Sequence, residues 1–154
     1  IDSVDADILR KQLDNGLMPV VSPLSCDESG TLLNINADTV AAAIAAELGA
    51  EKMILLTGAP GVLEDAADPN SLISYIDRAQ LDKLRDDGKL ADGMLPKAAA
   101  IDAALANGVQ RVHVISYNFP DSLLLEVFTN EGTGTLVVND INALTPAEQA
   151  GGGS

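Results

Sequence analysis

Tryptophan is absent, and the 154 residues contain only two tyrosines and two phenylalanines. A core must therefore be built from Ala, Val, Ile and Leu, as in α/β layers whose buried parallel strands are β-branched. The same shortage fits poorly with aromatic platforms for stacking RNA or single-stranded DNA. Positive charge is also scarce: 9 Lys and Arg stand against 23 Asp and Glu, a formal net charge of −14. No basic field exists to release counterions from nucleic acid or to seat the chain on an anionic bilayer, so neither is an expected partner. Cys26 is the only cysteine, which rules out an intrachain disulfide and fits a reducing cytoplasm. His113 is the only histidine, which gives little support to a zinc site or a Ser-His-Asp triad. The best apolar window, Val40 to Leu56, is broken by Glu47, Glu51 and Lys52, too short for a spanning helix. The acidic start Ile1-Asp2-Ser3-Val4-Asp5 does not read as a signal peptide.

What is present alternates between strand and helix patterns. Ile8, Leu9 and Leu13 lie at helical spacing within Asp5 to Asn15, with Gly16 as a stop. Met18 to Leu24 is a short apolar run and reads as a buried strand, followed by a hairpin or turn over Cys26 to Ile35. A helix is predicted from Ala37 to Leu48, capped by Asn36 and stopped by Gly49. Lys52 to Thr57 reads as a second buried strand running into the turn Gly58-Ala59-Pro60-Gly61, and Glu64 to Asn70 as an exposed acidic loop. Then come a short strand over Leu72 to Ile76 and a helix over Arg78 to Asp87. A helix over Pro96 to Ala106, a strand over Arg111 to Ser116, a helix over Asp121 to Phe128 and a strand over Thr135 to Val138 complete the order. Such alternation predicts a three-layer α/β/α sandwich with a mostly parallel sheet, and ligands beyond the carboxyl ends of its strands. Residues 1–145 read as one domain and 146–154 as a tail whose Gly151-Gly152-Gly153-Ser154 looks like an engineered linker.

Three stretches carry chemistry. Asn34-x-Asn36-x-Asp38 enters a helix, where carboxamides and backbone N–H groups hold a carboxylate ligand or simply cap the helix. Gly58 to Gly61 lets a backbone approach a ligand closely or merely turns, and it is no Walker loop. Gly93-Met94-Leu95-Pro96-Lys97 sets a lysine in the first turn of a helix, the wrong end for the helix dipole. That lysine is either solvated or held there for an anionic ligand. His113 reads as a paired histidine within an apolar strand.

Read together, Asn34 to Leu63, Asp92 to Leu105, Arg111 to Ser116 and Leu123 to Val138 resemble the amino acid kinase family, and within it the acetylglutamate kinases. The resemblance implies ATP with Mg²⁺ as cofactor and phosphoryl transfer to the side-chain carboxylate of N-acetyl-L-glutamate, a step of arginine biosynthesis. It places Asn34 and Asn36 in the acetylglutamate-binding stretch and makes Asp38 the acid that positions the catalytic lysines. Lys97 becomes the lysine that neutralises the transferred phosphoryl group. Thr57, Gly58, Gly61, Val62 and Leu63 fall in one nucleotide loop, and Gly93, Met94 and Lys97 in another.

The resemblance covers the C-terminal, nucleotide-binding half of that family. A glycine-rich loop and another lysine of the N-terminal half have no counterpart here. Gly58 stands where members often have Asp, and Asp121 where arginine-sensitive members commonly have His. Ile115-Ser116-Tyr117 is similar instead to the kinase-like, arginine-sensing domain of N-acetylglutamate synthases. The expectations are an ATP/ADP-binding fragment inactive alone, or such a sensor, or an engineered non-catalytic module. A homo-oligomer is expected, formed through an open sheet edge at Met18 to Leu24.

Overall fold

The computed structural model describes residues 1–129 and 132–144, so the tail assigned to 146–154 lies outside the described residues. Helices α1 (Ala6–Asp14), α2 (Ala37–Leu48), α3 (Arg78–Asp86), α4 (Leu95–Ala106) and α5 (Ser122–Phe128) alternate with strands. The strands are β1 (Leu24–Cys26), β2 (Leu32–Asn34), β3 (Lys52–Thr57), β4 (Tyr75–Asp77), β5 (Arg111–Ser116) and β6 (Thr135–Val138). Strands β1 and β2 form an antiparallel hairpin, and the main sheet runs β3-β5-β6-β4.

Two of the three pairings in the main sheet are parallel, β3 with β5 and β4 with β6, while β5 and β6 run antiparallel. The reversal has a length argument. The seven residues of α5 rise only about 10 Å. The six residues of β5 extend about 20 Å, so the short helix does not carry the chain back to the start of β5.

The helix ends follow local chemistry. Asn36 Oδ1 accepts the N–H groups of Asp38 and Thr39 at 3.0 and 3.2 Å, which satisfies two of the open donors of α2. Gly49 closes α2 with a left-handed φ of 67°. Asp77 and Gln80 make a reciprocal capping box on α3. Met53, Leu55, Val112, Val114, Val137 and Ile76 face Ala45, Ala98, Ile101 and Ala104 of α2 and α4, and this is the main core. Small alanines let these helices lie close to the sheet.

Met18 to Leu24 is not a buried strand. Only Leu24 enters a strand, and Met18 and Val20 are 87% and 93% exposed. Pro19 and Pro23 each lack a donor for a sheet ladder, and only the end of the segment is paired, with Leu24 opposite Asn34 of β2. β3 and β4 are the two edge strands of the main sheet among the described residues, and β3 lies across an apolar groove of about 410 Å³ from Pro19, Val21 and Pro23. β3 itself is buried on one face only, with Leu56 47% exposed on the other. The short strand placed at Leu72 to Ile76 lies instead at Tyr75–Asp77, with Leu72 making a lone antiparallel bridge to Leu63.

On the second face of the sheet, α5 is tied to β5 by a buried pair. His113 Nδ1–H donates to Glu126 Oε1 at 2.6 Å, and Glu126 Oε2 accepts the Thr133 N–H at 2.8 Å. Burial opposes the charged form of Glu126, but the bonds from His113 and Thr133 outweigh it and hold its pKa below the ordinary 4.5. A depressed carboxyl binds fewer protons folded than unfolded. Its stabilisation is therefore present above pH 4.5 and lost as pH falls through the folded value. Glu126→Gln is expected to lower stability at pH 7 and to flatten the fall of stability below pH 4.5, as read by urea unfolding across that range. An unchanged acid limb in the variant would exclude this pair as its source.

Candidate functional site

Helix α2 precedes β3 and helix α4 precedes β5, so both helix N-termini lie at the end of the sheet where β3 and β5 finish. Asp38 is in the first turn of α2 and Lys97 in the first turn of α4. Lys97 Nζ donates to both Asp38 oxygens, each at 3.0 Å. The side chains are 17% and 20% exposed, so the pair is partly withdrawn from water yet reachable. The carboxylate offsets the repulsion between a lysine and the positive end of its own helix. It also orients the ammonium. An ammonium has three donors, and Asp38 does not exhaust them. A spare lysine proton, the N-terminus of α4, which has no side-chain cap, and the positive end of the α2 dipole make this place suited to an anion.

The neighbouring loops close on the same end of the sheet. Gly61 and Leu63 share a small crevice of about 100 Å³ with Met94 of the Gly93-Met94 turn, and Lys89, Leu90 and Ala91 complete its wall. Gly61 has no room for a side chain, since a Cβ there would lie 2.6 Å from Thr135 Oγ1 and 3.1 Å from Thr135 N. Thr135 Oγ1 accepts the Val62 N–H at 2.8 Å, pinning the loop to β6. Val62 is fully buried, and its N–H is already engaged by Thr135. Thr57 is buried and accepts the Ala59 N–H at 3.4 Å, which begins the turn.

The structure brings Asp38 and Lys97 together, and separately Gly61 and Leu63 with Met94. Asn36 is a helix cap, and Asn34 ends β2 as an exposed residue, so neither is committed to a ligand here. Three contributors escaped the sequence reading: Lys89, Thr135 and Asn118, the last donating from Nδ2 to the Gly58 carbonyl at 3.0 Å. No local signal reveals the contacts of the last two, because Thr135 lies 73 residues from Val62 and Asn118 lies 60 residues from Gly58.

Residues 1–116 match the model of the amino acid kinase family. The chain belongs to that family. The acetylglutamate kinase of Archaeoglobus fulgidus is 48% identical over 134 residues, which are 87% of this chain and 46% of that protein. The chain thus spans about half the length of the curated relatives it matches. Among solved structures, N-acetylglutamate synthase from Neisseria gonorrhoeae, complexed with coenzyme A and L-arginine, superposes with a TM-score of 0.80 at 29% identity. That match covers 89% of this chain and 31% of the synthase. Carbamate kinase from Giardia lamblia bound to AMP-PNP shares the fold, with a TM-score of 0.69 at 18% identity over 89% of this chain and 50% of that one. Membership of the amino acid kinase family accounts for the α/β architecture and its mostly parallel sheet. Among the described residues no helix is long and apolar enough to cross a membrane.

Proposed function

We propose that this kinase-family chain is the C-terminal, nucleotide-binding half of an acetylglutamate kinase, transferring phosphoryl from ATP to N-acetyl-L-glutamate once an N-terminal half is supplied. The observation that carries the reading is the Asp38–Lys97 pair held between the first turns of two helices at the end of the sheet where β3 and β5 finish. In-line phosphoryl transfer asks the protein for positioning and positive charge more than for covalent chemistry. Lys97 supplies the charge at the transferred group, Asp38 orients it, and Asn34 and Asn36 lie on the acceptor side. Among the described residues no three of His, Cys, Asp and Glu gather to hold a metal ion. Mg²⁺ therefore fits this site as a companion of the ATP phosphates, whose charge it offsets, with Lys97 holding the remainder.

Titrating the chain with Mg·ADP while recording amide NMR shifts tests the reading. Shifts are expected to cluster at Thr57 to Leu63 and Gly93 to Lys97. Saturating nucleotide without shifts in either loop would overturn it. A second reading, the arginine-sensing domain of a synthase, is favoured by the likeness to the gonococcal synthase and by Ile115-Ser116-Tyr117. A pure sensor has no use for a phosphoryl-transfer pair, and arginine in place of nucleotide would produce the shifts.

The chain is also proposed to self-associate through the open edge of β3, whose unpaired backbone groups and apolar flank invite a second strand. A dimer in sedimentation at micromolar concentration is the expected result, and a strict monomer refutes it.

A further inference from the structure

The geometry points to Tyr117 as an additional nucleotide-binding residue, one whose ring stands over Gly58 at the carboxyl ends of β3 and β5 and whose hydroxyl occupies the space a side chain at position 58 would take. The inference rests on reading Thr57 to Leu63 as a nucleotide loop. Tyr117 directly follows β5, and its N–H donates to the Thr57 carbonyl at 3.0 Å, continuing the β3–β5 ladder one step past Thr57 and Ser116. Asn118 locks the same junction from the other side, its Nδ2 donating to the Gly58 carbonyl and its N–H to Ser116 Oγ at 3.1 Å. The backbone of Tyr117 is therefore fixed between the carboxyl ends of two adjacent parallel strands, where open α/β sheets bind their ligands.

The ring leans over the one residue there without a side chain. A Cβ on Gly58 would lie 2.9 Å from Tyr117 Oη and 3.4 Å from its ring carbon, so side chain 58 and ring 117 compete for one volume. The ring is nonetheless 65% exposed, and among the described residues its hydroxyl has no hydrogen-bond partner. Phe119, two residues on, is 51% exposed. Half of the four aromatic residues of the chain thus stand open to solvent on a single strand-end loop. Apolar burial does not explain that placement. A planar face beside the loop read as nucleotide-binding fits a nucleoside, with the ring against base or ribose and the hydroxyl within reach of a ribose or phosphate oxygen.

Binding of Mg·ADP to the full 154-residue chain, measured by calorimetry and by the nucleotide-dependent rise in thermal midpoint, tests the assignment. Tyr117→Ala is expected to weaken binding roughly tenfold. Tyr117→Phe, which keeps the ring, is expected to weaken it about threefold. In neither variant should the midpoint without nucleotide change, because the side chain is exposed. Gly58→Ala pushes the ring aside and should weaken binding as well, but should have no further effect in the Tyr117→Ala background, since the two act through one contact. If Lys97→Ala weakens binding while Tyr117→Ala binds like the unsubstituted chain, the role of Tyr117 is overturned and the nucleotide site stands. If Gly58→Ala acts equally with and without the ring, the shared contact is refuted. If the unsubstituted chain binds no nucleotide, the underlying reading falls and this assignment falls with it.

Discussion

Joined to the N-terminal half of an acetylglutamate kinase, the Lys97→Ala variant is expected to turn over on the order of 10²–10³-fold more slowly than the unsubstituted chain. The reason lies in the geometry of the pair. Lys97 Nζ sits 3.0 Å from each Asp38 oxygen with a donor to spare, at a point that two helix N-termini already make favourable for an anion. The phosphoryl group carries more charge toward its bridging oxygens in the transition state than in the ground state, so kcat should fall more than KM rises. Asp38→Ala leaves the ammonium in place but unoriented, and it too should lower kcat. The double variant should be little worse than Lys97→Ala alone, since the carboxylate acts through the lysine. Steady-state assay of acetylglutamate phosphorylation checks all three. Near-normal kcat in Lys97→Ala would remove the lysine from the chemistry, and additive losses would show that Asp38 acts on its own.

The largest effect on stability is expected at Gly134. It lies just before β6, and a Cβ there would overlap the Val114 carbonyl oxygen and lie 3.0 Å from both Cα and Cγ2 of Ile115. These neighbours belong to β5, which is buried along nearly its whole length and pairs with both β3 and β6. A backbone carbonyl in the middle of a sheet cannot swing away as a side-chain tip can, so β6 must shift from β5. Gly134→Ala should cost roughly 3 kcal/mol, the upper range for overpacking a core. For a chain of this size that corresponds to a thermal midpoint lowered by about 6–12 °C. Gly58→Ala is the natural control, because its neighbour is the far end of a flexible, exposed Tyr117. A Gly134→Ala midpoint close to that of the control would show that the β5–β6 junction is not rigid.

The elements that were legible in advance are those whose signals are local. Asn36 and Gly49 bound α2, and Pro96 stands within the first turn of α4. The β-branched and leucine-rich runs of β3 and β5 form strands in parallel register from Lys52 beside Arg111 to Thr57 beside Ser116. Asp38 and Lys97 were also visible separately, one as an acid at a helix start and the other as a cation at the wrong end of a helix. Met18 to Leu24 shows where such signals fail. Its apolar run is compatible with a strand, but a buried strand needs a strand beside it, and among the described residues only Leu24, at its end, is paired.

By itself, then, the sequence determined the fold class and the helix boundaries to within a residue or so, because periodicity, caps and charge placement act within one or two turns of the chain. The tertiary structure decided the direction of β6, the 3.0 Å meeting of Lys97 with Asp38 across 59 residues, and the anchoring of Val62 on Thr135. It also decided that the space left by Gly58 belongs to Tyr117. These depend on which distant surfaces the sheet brings into contact, and a contact between residues far apart in the chain leaves no periodic trace in either of them.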